Sequence, residues 1–279
     1  MISSRNYAPT ARLLPFIRRH YAFSAALPET LVLEDFLMAD NAFVRFIHSG
    51  SWDLWDNAQW SPMSGLYIFG ANSRMQRIRV RGPISVVSFA LRPSAWTALF
   101  DRPAAELADQ AAPLHQNWGS DIAEQLAHAL SAAQNDADRV AAMELAIERQ
   151  MAHIGKSQVD PVIASFEAIA RQDSTIKVED AASLLGLSPR QLERRCLASF
   201  GLSPKAVLQR CRFLDMAAAM RGLSNADEAE LASLRYFDQS HLNREFRRYT
   251  NMTPGAFQRA STPLFTESLK LRVDGKTLA

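Results

Sequence analysis

The feature that most constrains this chain is a repeat of itself. The stretch LSPRQLERRCLASFGLSP, Leu187 to Pro204, returns fifty residues later as FDQSHLNREFRRYTNMTP, Phe237 to Pro254. Leu192 falls on Leu242, Arg194 on Arg244, Gly201 on Asn251, Ser203 on Thr253 and Pro204 on Pro254. The same short unit is built twice, with a basic helix at the centre of each copy.

In the first copy, KVEDAASLLG reads as a short helix, with Ala181, Ala182 and Leu185 giving a close-packing face and Gly186 suited to the left-handed stop. Ser188 caps a second helix and Pro189 fills its first position. Leu192, Cys196 and Phe200 line its inner face, and Arg190, Glu193, Arg194 and Leu197 its outer one. Helix, tight turn and second helix with a basic outer face make a helix-turn-helix, whose second helix fits a DNA major groove. In the second copy, DEAELASLRY is the supporting helix and Asp238 caps the next one. Leu242 and Phe246 face inward, and Gln239, Ser240, Asn243, Arg244 and Arg247 face outward. Gln and Asn can read adenine, and Arg can read guanine or hold phosphate. Between the copies SPKAVLQRCRFLDMAAAMRGL predicts a helix of about 17 residues, roughly 25 Å long. That approaches the roughly 34 Å between successive major grooves on one face of DNA. Two reading heads on one spacer thus suit two adjacent grooves.

The rest of the chain reads differently. Residues 1–20 look irregular. From about Thr30 to Pro93 short β-segments succeed one another: LVLEDFLMAD, FVRFIHSG, GLYIFG, MQRIRVRG and ISVVSFALRP, each bounded by Gly, Pro, Asn or Asp. They predict a small sandwich or barrel. RIRVRG alternates, so one face is wet, while ISVVSFAL should be buried. After Pro93 come short helices, then SDIAEQLAHALSAA with a Ser-Asp cap, then DADRVAAMELAIERQMAHI. The last carries Val140, Met143, Ile147, Met151 and Ile154 as a stripe that either packs on its own sheet or pairs with a second subunit. GKSQVD, Gly155 to Asp160, reads as a linker. The fold class is therefore α+β with two domains: a β-rich domain with flanking helices over 1–155, an all-helical module over 156–262, and a loosely held tail over 263–279.

The net charge of +2 argues for no partner by itself. Its distribution is uneven, −2 over residues 1–155 and +3 over 156–260, so the case for DNA rests on where the arginines sit. The two cysteines, Cys196 and Cys211, point to a reducing compartment without disulfides. The N-terminus lacks the pattern of a signal peptide, and no apolar run approaches a membrane span, so a cytoplasmic protein with no membrane partner is expected. The six histidines form no H-x-H or H-x-x-x-H pair, and neither metal nor cofactor is expected. Trp52, Trp55, Trp60, Tyr67 and Phe69 either form the β-core or line a pocket for an apolar effector. Of these, Trp52, Trp55, Tyr67 and Phe69 are the candidate effector residues.

Residues 174–260 resemble the DNA-binding module of AraC/XylS-type transcription regulators. The resemblance is carried by AASLLGLSPRQLERR, FGLSP and YFDQSHLNREFRR with MTP after it. It implies two helix-turn-helix units joined by a long helix, with Arg190, Glu193, Arg194, Gln239, Ser240, Asn243 and Arg244 facing double-stranded promoter DNA. Arg247 and Arg248 are expected at phosphates. RNA polymerase and a second copy of the chain are candidate partners. Three positions depart from the family pattern: Arg235 stands at the usual turn glycine, Cys196 at the usual Phe, and Val207 at the usual aromatic. The front part is similar, more weakly, to the cupin-like (jelly-roll) sensor domains of such regulators, which implies sensing or dimerisation of unspecified ligand.

Enzyme readings fare worse. Some such modules are joined to zinc-cysteine alkyl-repair domains or amidotransferase-like domains with a nucleophilic cysteine, but residues 1–155 contain no cysteine. No G-x-S-x-G or phosphate loop occurs. A metal-free cupin-like enzyme, a protein-binding scaffold and a ligand-independent regulator whose front domain only oligomerises remain the alternatives. Salt-dependent DNA binding separates the scaffold from the regulator.

Overall fold

Two glycines set the shape of the N-terminal half. The computed structural model describes residues 2–274, and over residues 2–113 it forms one antiparallel sheet. Its strands are β1 (Ile2–Tyr7), β2 (Ile17–Ala25), β3 (Val32–Leu37), β4 (Phe43–Asp56), β5 (Gln59–Phe69), β6 (Gln76–Leu91) and β7 (Ala111–Pro113). The order is β1-β2-β6-β4-β5-β7, with β3 also on β6. The first half of β6 pairs with β3 and the second half with β2. Between the halves lies Gly82, at φ +66°. Opposite it, β4 shifts register between Ile47 and Ser51, where Gly50 takes φ +85°. A Cβ on Gly50 would come within 2.5 Å of the Ile84 side chain and 2.7 Å of the Pro83 carbonyl. Short strands ending at these glycines were expected. Instead each glycine bends a long strand, because a residue without Cβ can turn left-handed while the ladder continues on both sides.

The first twenty residues, expected to be irregular, contain β1 and the start of β2. ISSRNY has little strand propensity of its own; it is a strand because it pairs with β2.

The sheet buries both faces. One face, with Val44, Phe46, Val87 and Phe89, packs against α1 (Trp96–Leu99), α2 (Ser120–Ala132) and α3 (Asp136–Ile154). In that stripe on α3, Met143 and Ile147 are buried in this core and Val140 and Met151 lean on it, so the stripe serves its own domain. The N-cap of α2 is Gly119, without the side-chain bond expected of a Ser-Asp cap. The second face gathers Phe23, Phe43, Trp52, Phe69, Ile78 and Val86.

The helical half comprises α4 (Pro161–Gln172), α5 (Val178–Leu184), α6 (Pro189–Ser199), α7 (Pro204–Met220), α8 (Ala226–Leu234), α9 (Gln239–Thr250), α10 (Pro254–Arg259) and α11 (Pro263–Asp274). Local chemistry places the boundaries. Ser188 forms a capping box with Gln191, Asp160 accepts from Val162 and Ile163, and Asp238 accepts from His241. Ser203 and Thr253 cap α7 and α10 in the same way, each with proline next in the chain. Gly186, Gly201 and Asn251 take the left-handed conformation the repeat requires. Gly155 ends α3 in that conformation, and five residues lead on to α4.

The segment expected to be a loose tail is a structural helix over 263–274; residues 275–279 of that tail lie outside the described residues. Leu264 enters the second face of the sheet, whereas Phe265 and Leu269 enter the core around α7 and α9. Leu271 packs with Tyr21 and Ala90. The Asn6 amide donates to the Leu271 carbonyl at 3.0 Å. The protein is α+β: a bent β-sheet domain with flanking helices, then an all-helical tandem helix-turn-helix.

Candidate nucleic-acid interface

The inner face of α6 is fixed by Leu192, Cys196 and Phe200, all buried among Ile163, Phe166, Val207 and Leu208. This leaves Arg190, Glu193 and Arg194 exposed on the outer face. None of the three makes a hydrogen bond or ion pair among the described residues. In α9, Phe246 and Tyr249 are buried against Phe213, whose ring stacks on Tyr249 at 4.4 Å. Gln239, Ser240, Arg244 and Arg247 are exposed and Asn243 is half-buried. Arg248 differs from its neighbour: its guanidinium donates to Gln209 of α7 at 2.7 Å, drawing it back along the module.

The two reading helices are held differently. The turn before α6 uses Gly186 at φ +67°. In the second unit Arg235, at the usual glycine position, has φ −75° and ψ −5°, so that turn contains no left-handed residue there. Its guanidinium pairs with Asp215 of α7 at 2.5 Å and donates to the Gln172 carbonyl at 3.4 Å. A side chain that crosses to α7 and α4 thus anchors the turn in place of a glycine.

A second anchor was not legible in the pattern of outward residues. Glu245, the one acid in the basic run of α9, is buried. It accepts from Arg212 of α7 at 2.5 and 3.2 Å and from the Tyr236 hydroxyl at 2.8 Å. Burial lowers the Arg212 pKa, but the hydrogen bond and charge of Glu245 outweigh this and raise it. Burial, then the charge of Glu245, pushes the Tyr236 phenol up. His241 joins at 3.8 Å from Glu245, a structural place in the helix. The signal was available: a lone Glu inside HLNREFRRY on the same face as His241 and Tyr249.

Both units touch the sheet domain. The turn of 3-10 helix at Ala104–Leu107 packs beside α6, and Pro103 and Ala105 share a groove with Arg190, Glu193, Arg194 and Leu197. At Gly201, φ +77°, an added Cβ would lie 2.9 Å from the Ala104 carbonyl. On the other unit, the Met75 N–H donates to the Tyr249 carbonyl at 3.0 Å. Between them Arg18 pairs with Glu167, and Arg210 donates to the Asp40 carbonyl at 2.8 Å and to the Asn41 side chain.

The four candidate effector residues are not all together. Trp52 and Phe69 flank Arg45, whose guanidinium carbon lies 5.0 and 5.6 Å from their rings, and Tyr67 sits 6.5 Å from Phe69. Trp55 lies elsewhere, against Trp60 at 5.1 Å and Arg77 at 5.0 Å, in a cleft shared with Arg248 and Asn251. Arg45 was missed because a lone arginine in an apolar strand gives no periodic signal. Among the described residues no group of three His, Cys, Asp or Glu is placed to hold a metal, and no helix is long and apolar enough to cross a membrane. Both cysteines are free and buried.

Comparison with known proteins gives two family matches. Residues 181–260 match a helix-turn-helix domain, and residues 5–113 match a domain of unknown function, DUF6597. No curated protein matches the chain. Among solved structures, ToxT from Vibrio cholerae aligns over 92% of this chain and 97% of its own, at 11% identity and TM-score 0.46. A structure of wild-type ToxT with bound unsaturated fatty acid aligns over 86% and 94%, at 12% identity and TM-score 0.46. The AraC-like transcriptional activator CuxR aligns over 84% and 90%, at 12% identity and TM-score 0.26.

Proposed function

We propose that the chain, whose residues 181–260 match a helix-turn-helix domain, is a transcription regulator of the AraC/XylS type, and that α6 and α9 enter two successive major grooves of a promoter. The observation that carries this reading is the equivalence of Arg194 and Arg244. They stand one repeat apart, both exposed, on helices whose opposite faces pack into two cores, each built on one half of α7. Arg190, Glu193 and Arg194 read bases in one groove, and Gln239, Ser240, Asn243 and Arg244 in the other. Arg247 contacts phosphate. Arg248, tied to Gln209, contacts it only after releasing that bond.

The sheet domain responds to a small-molecule effector on its second face, where Trp52, Tyr67 and Phe69 gather near Arg45. Its seat against both helix-turn-helix units supports a role in setting DNA affinity. The alternative in which this domain only oligomerises loses its best support, since the α3 stripe packs inward; a homodimer would have to use another surface. The protein works on cytoplasmic DNA, RNA polymerase is its partner at the promoter, and no catalytic role is assigned. Footprinting of the full chain on a bound promoter tests the reading. Protection of two grooves one helical turn apart, with affinity falling steeply with salt, is expected. A footprint of one groove, or affinity unchanged from wild type in both Arg194→Ala and Arg244→Ala, overturns it.

A further inference from the structure

Phe237 is 94% exposed, more than any other large apolar residue described, and Leu234 just before it in the chain is 73% exposed. Single apolar side chains on a surface are ordinary and by themselves call for nothing. The place of this one is particular. Phe237 directly precedes Asp238, whose carboxylate caps α9 by accepting the His241 N–H at 2.6 Å. An apolar residue at that point normally folds back on the fourth residue of the helix, here Leu242, and fixes the entry of the chain. In this turn Tyr236 is the residue that packs inward. Its ring leans on the core around α7 and α9, 5.3 Å from the His241 ring, and its hydroxyl donates to Glu245 at 2.8 Å. Phe237 is left outside. The equivalent residue of the first unit, Leu187, packs on the core around α6. The two copies therefore differ here: one covers its apolar residue and the other presents it.

The neighbours of Phe237 say what it is presented to. Gln239 and Ser240, both exposed, are the first two residues of α9, and the N-terminal residues of a reading helix are the ones that meet base edges. Consecutive Cα atoms lie about 3.8 Å apart, so that of Phe237 is at most about 8 Å from that of Gln239. DNA that receives Gln239 and Ser240 thus comes within reach of the ring, which favours DNA over a protein as its neighbour. The apolar group that bases show in the major groove is the C5-methyl of thymine, and a phenyl ring suits it. We propose that Phe237 is a specificity-determining residue that packs on a thymine methyl group at the end of the α9 half-site, next to the bases faced by Gln239 and Ser240. The α6 half-site has no counterpart contact, because Leu187 packs on its own core. The proposal rests on the reading of α9 as a major-groove helix.

The test uses the full chain, as wild type and as Phe237→Ala, in selection from a random duplex library, followed by fluorescence anisotropy on the selected site. The ring is exposed, so the variant should unfold at the same urea concentration as wild type. Wild type is expected to select thymine at one position flanking the α9 half-site, and Phe237→Ala to lose that preference while keeping the rest of the motif. Replacing that thymine by deoxyuridine removes only the methyl group. It should weaken wild type about fourfold, as expected of one buried methyl, and leave Phe237→Ala unchanged. Phe237→Leu, still apolar, should keep part of the difference. The proposal is overturned if deoxyuridine weakens wild type and Phe237→Ala alike at every thymine. It is equally overturned if the variant keeps the motif and affinity of wild type, which would assign the ring to a protein neighbour. A two-part wild-type motif without these differences fails the thymine contact alone, whereas no wild-type motif at all fails the promoter reading and the contact with it.

Discussion

The carboxylate of Asp35 on β3 accepts the backbone N–H of Leu264 at 2.6 Å, so the first turn of α11 is capped from a strand 229 residues earlier. The same carboxylate accepts from Phe36 at 2.7 Å. Burial pushes its pKa up to about 6, against the pull of these hydrogen bonds and Arg221. The ordinary value is about 3.9. The folded protein therefore holds a proton that the unfolded chain has lost. The stability from this group is full below about pH 4 and is lost as pH rises through about 6. Asp35→Asn keeps an acceptor without a charge. Thermal unfolding from pH 4 to 7.5 should show a decline in wild type that the variant lacks, worth at most about 3 kcal/mol.

The exposed arginines should divide by role. Arg194→Ala and Arg244→Ala are expected to cost about 1–3 kcal/mol on the specific site and to relax base preference. Arg247→Ala should weaken all sequences alike and reduce the salt slope by about one. Arg248→Ala should change the slope less, because Gln209 already holds that side chain. Fluorescence anisotropy at four salt concentrations measures each.

Glu245→Ala removes the partner of a buried arginine. Arg212 is left without its counter-charge and Tyr236 without its acceptor, at a cost of about 3–5 kcal/mol. The loss falls on the seat of α9, so the α9 half of the footprint should fade before the α6 half. Urea unfolding and footprinting in the same buffer read both.

The left-handed position is shared by the two copies, but its surroundings are not. Gly201 faces the Ala104 carbonyl, whereas Asn251 tolerates the same backbone with its side chain exposed. Asn251→Gly should change stability by only a few tenths of a kcal/mol, since both residue types tolerate that backbone. Gly201→Asn should lower stability by about 1–3 kcal/mol through the clash. Equal melting temperatures for the two variants would exclude a packed seat between Gly201 and Ala104.

The spacer helix is also part of the core. An alanine inserted among Ala217, Ala218 and Ala219 rotates the second reading head by about 100° relative to the first. Ala217 and Ala218 are buried against the second unit, so the insertion should both misdirect α9 and loosen its packing. A shortened footprint with a lower denaturation midpoint is expected. An unchanged two-groove footprint with the helix intact by circular dichroism would show that α7 does not fix the spacing.

The sequence alone determined the tandem helix-turn-helix, because its signals are local. Ser188-Pro189, Ser203-Pro204, Asp238 and Thr253-Pro254 start helices wherever they occur, and period-four apolar residues choose the buried face within each. That face in turn sets outward positions such as Arg194 and Arg244. The tertiary structure decided whatever depends on distant partners. ISSRNY became a strand through β2, Gly50 and Gly82 became bends through the ladders on either side, and residues 263–274 became a helix docked between sheet and reading head through Asp35. It also brought Arg19 and Arg45 to the ring of Tyr21 and set Glu245 on Arg212. Thr262-Pro263 marks the start of that last helix, and the spacing of Glu245 from His241 and Tyr249 marks its face, but no local signal names their partners, because each of these features is stabilised by a contact whose other half is remote in the chain.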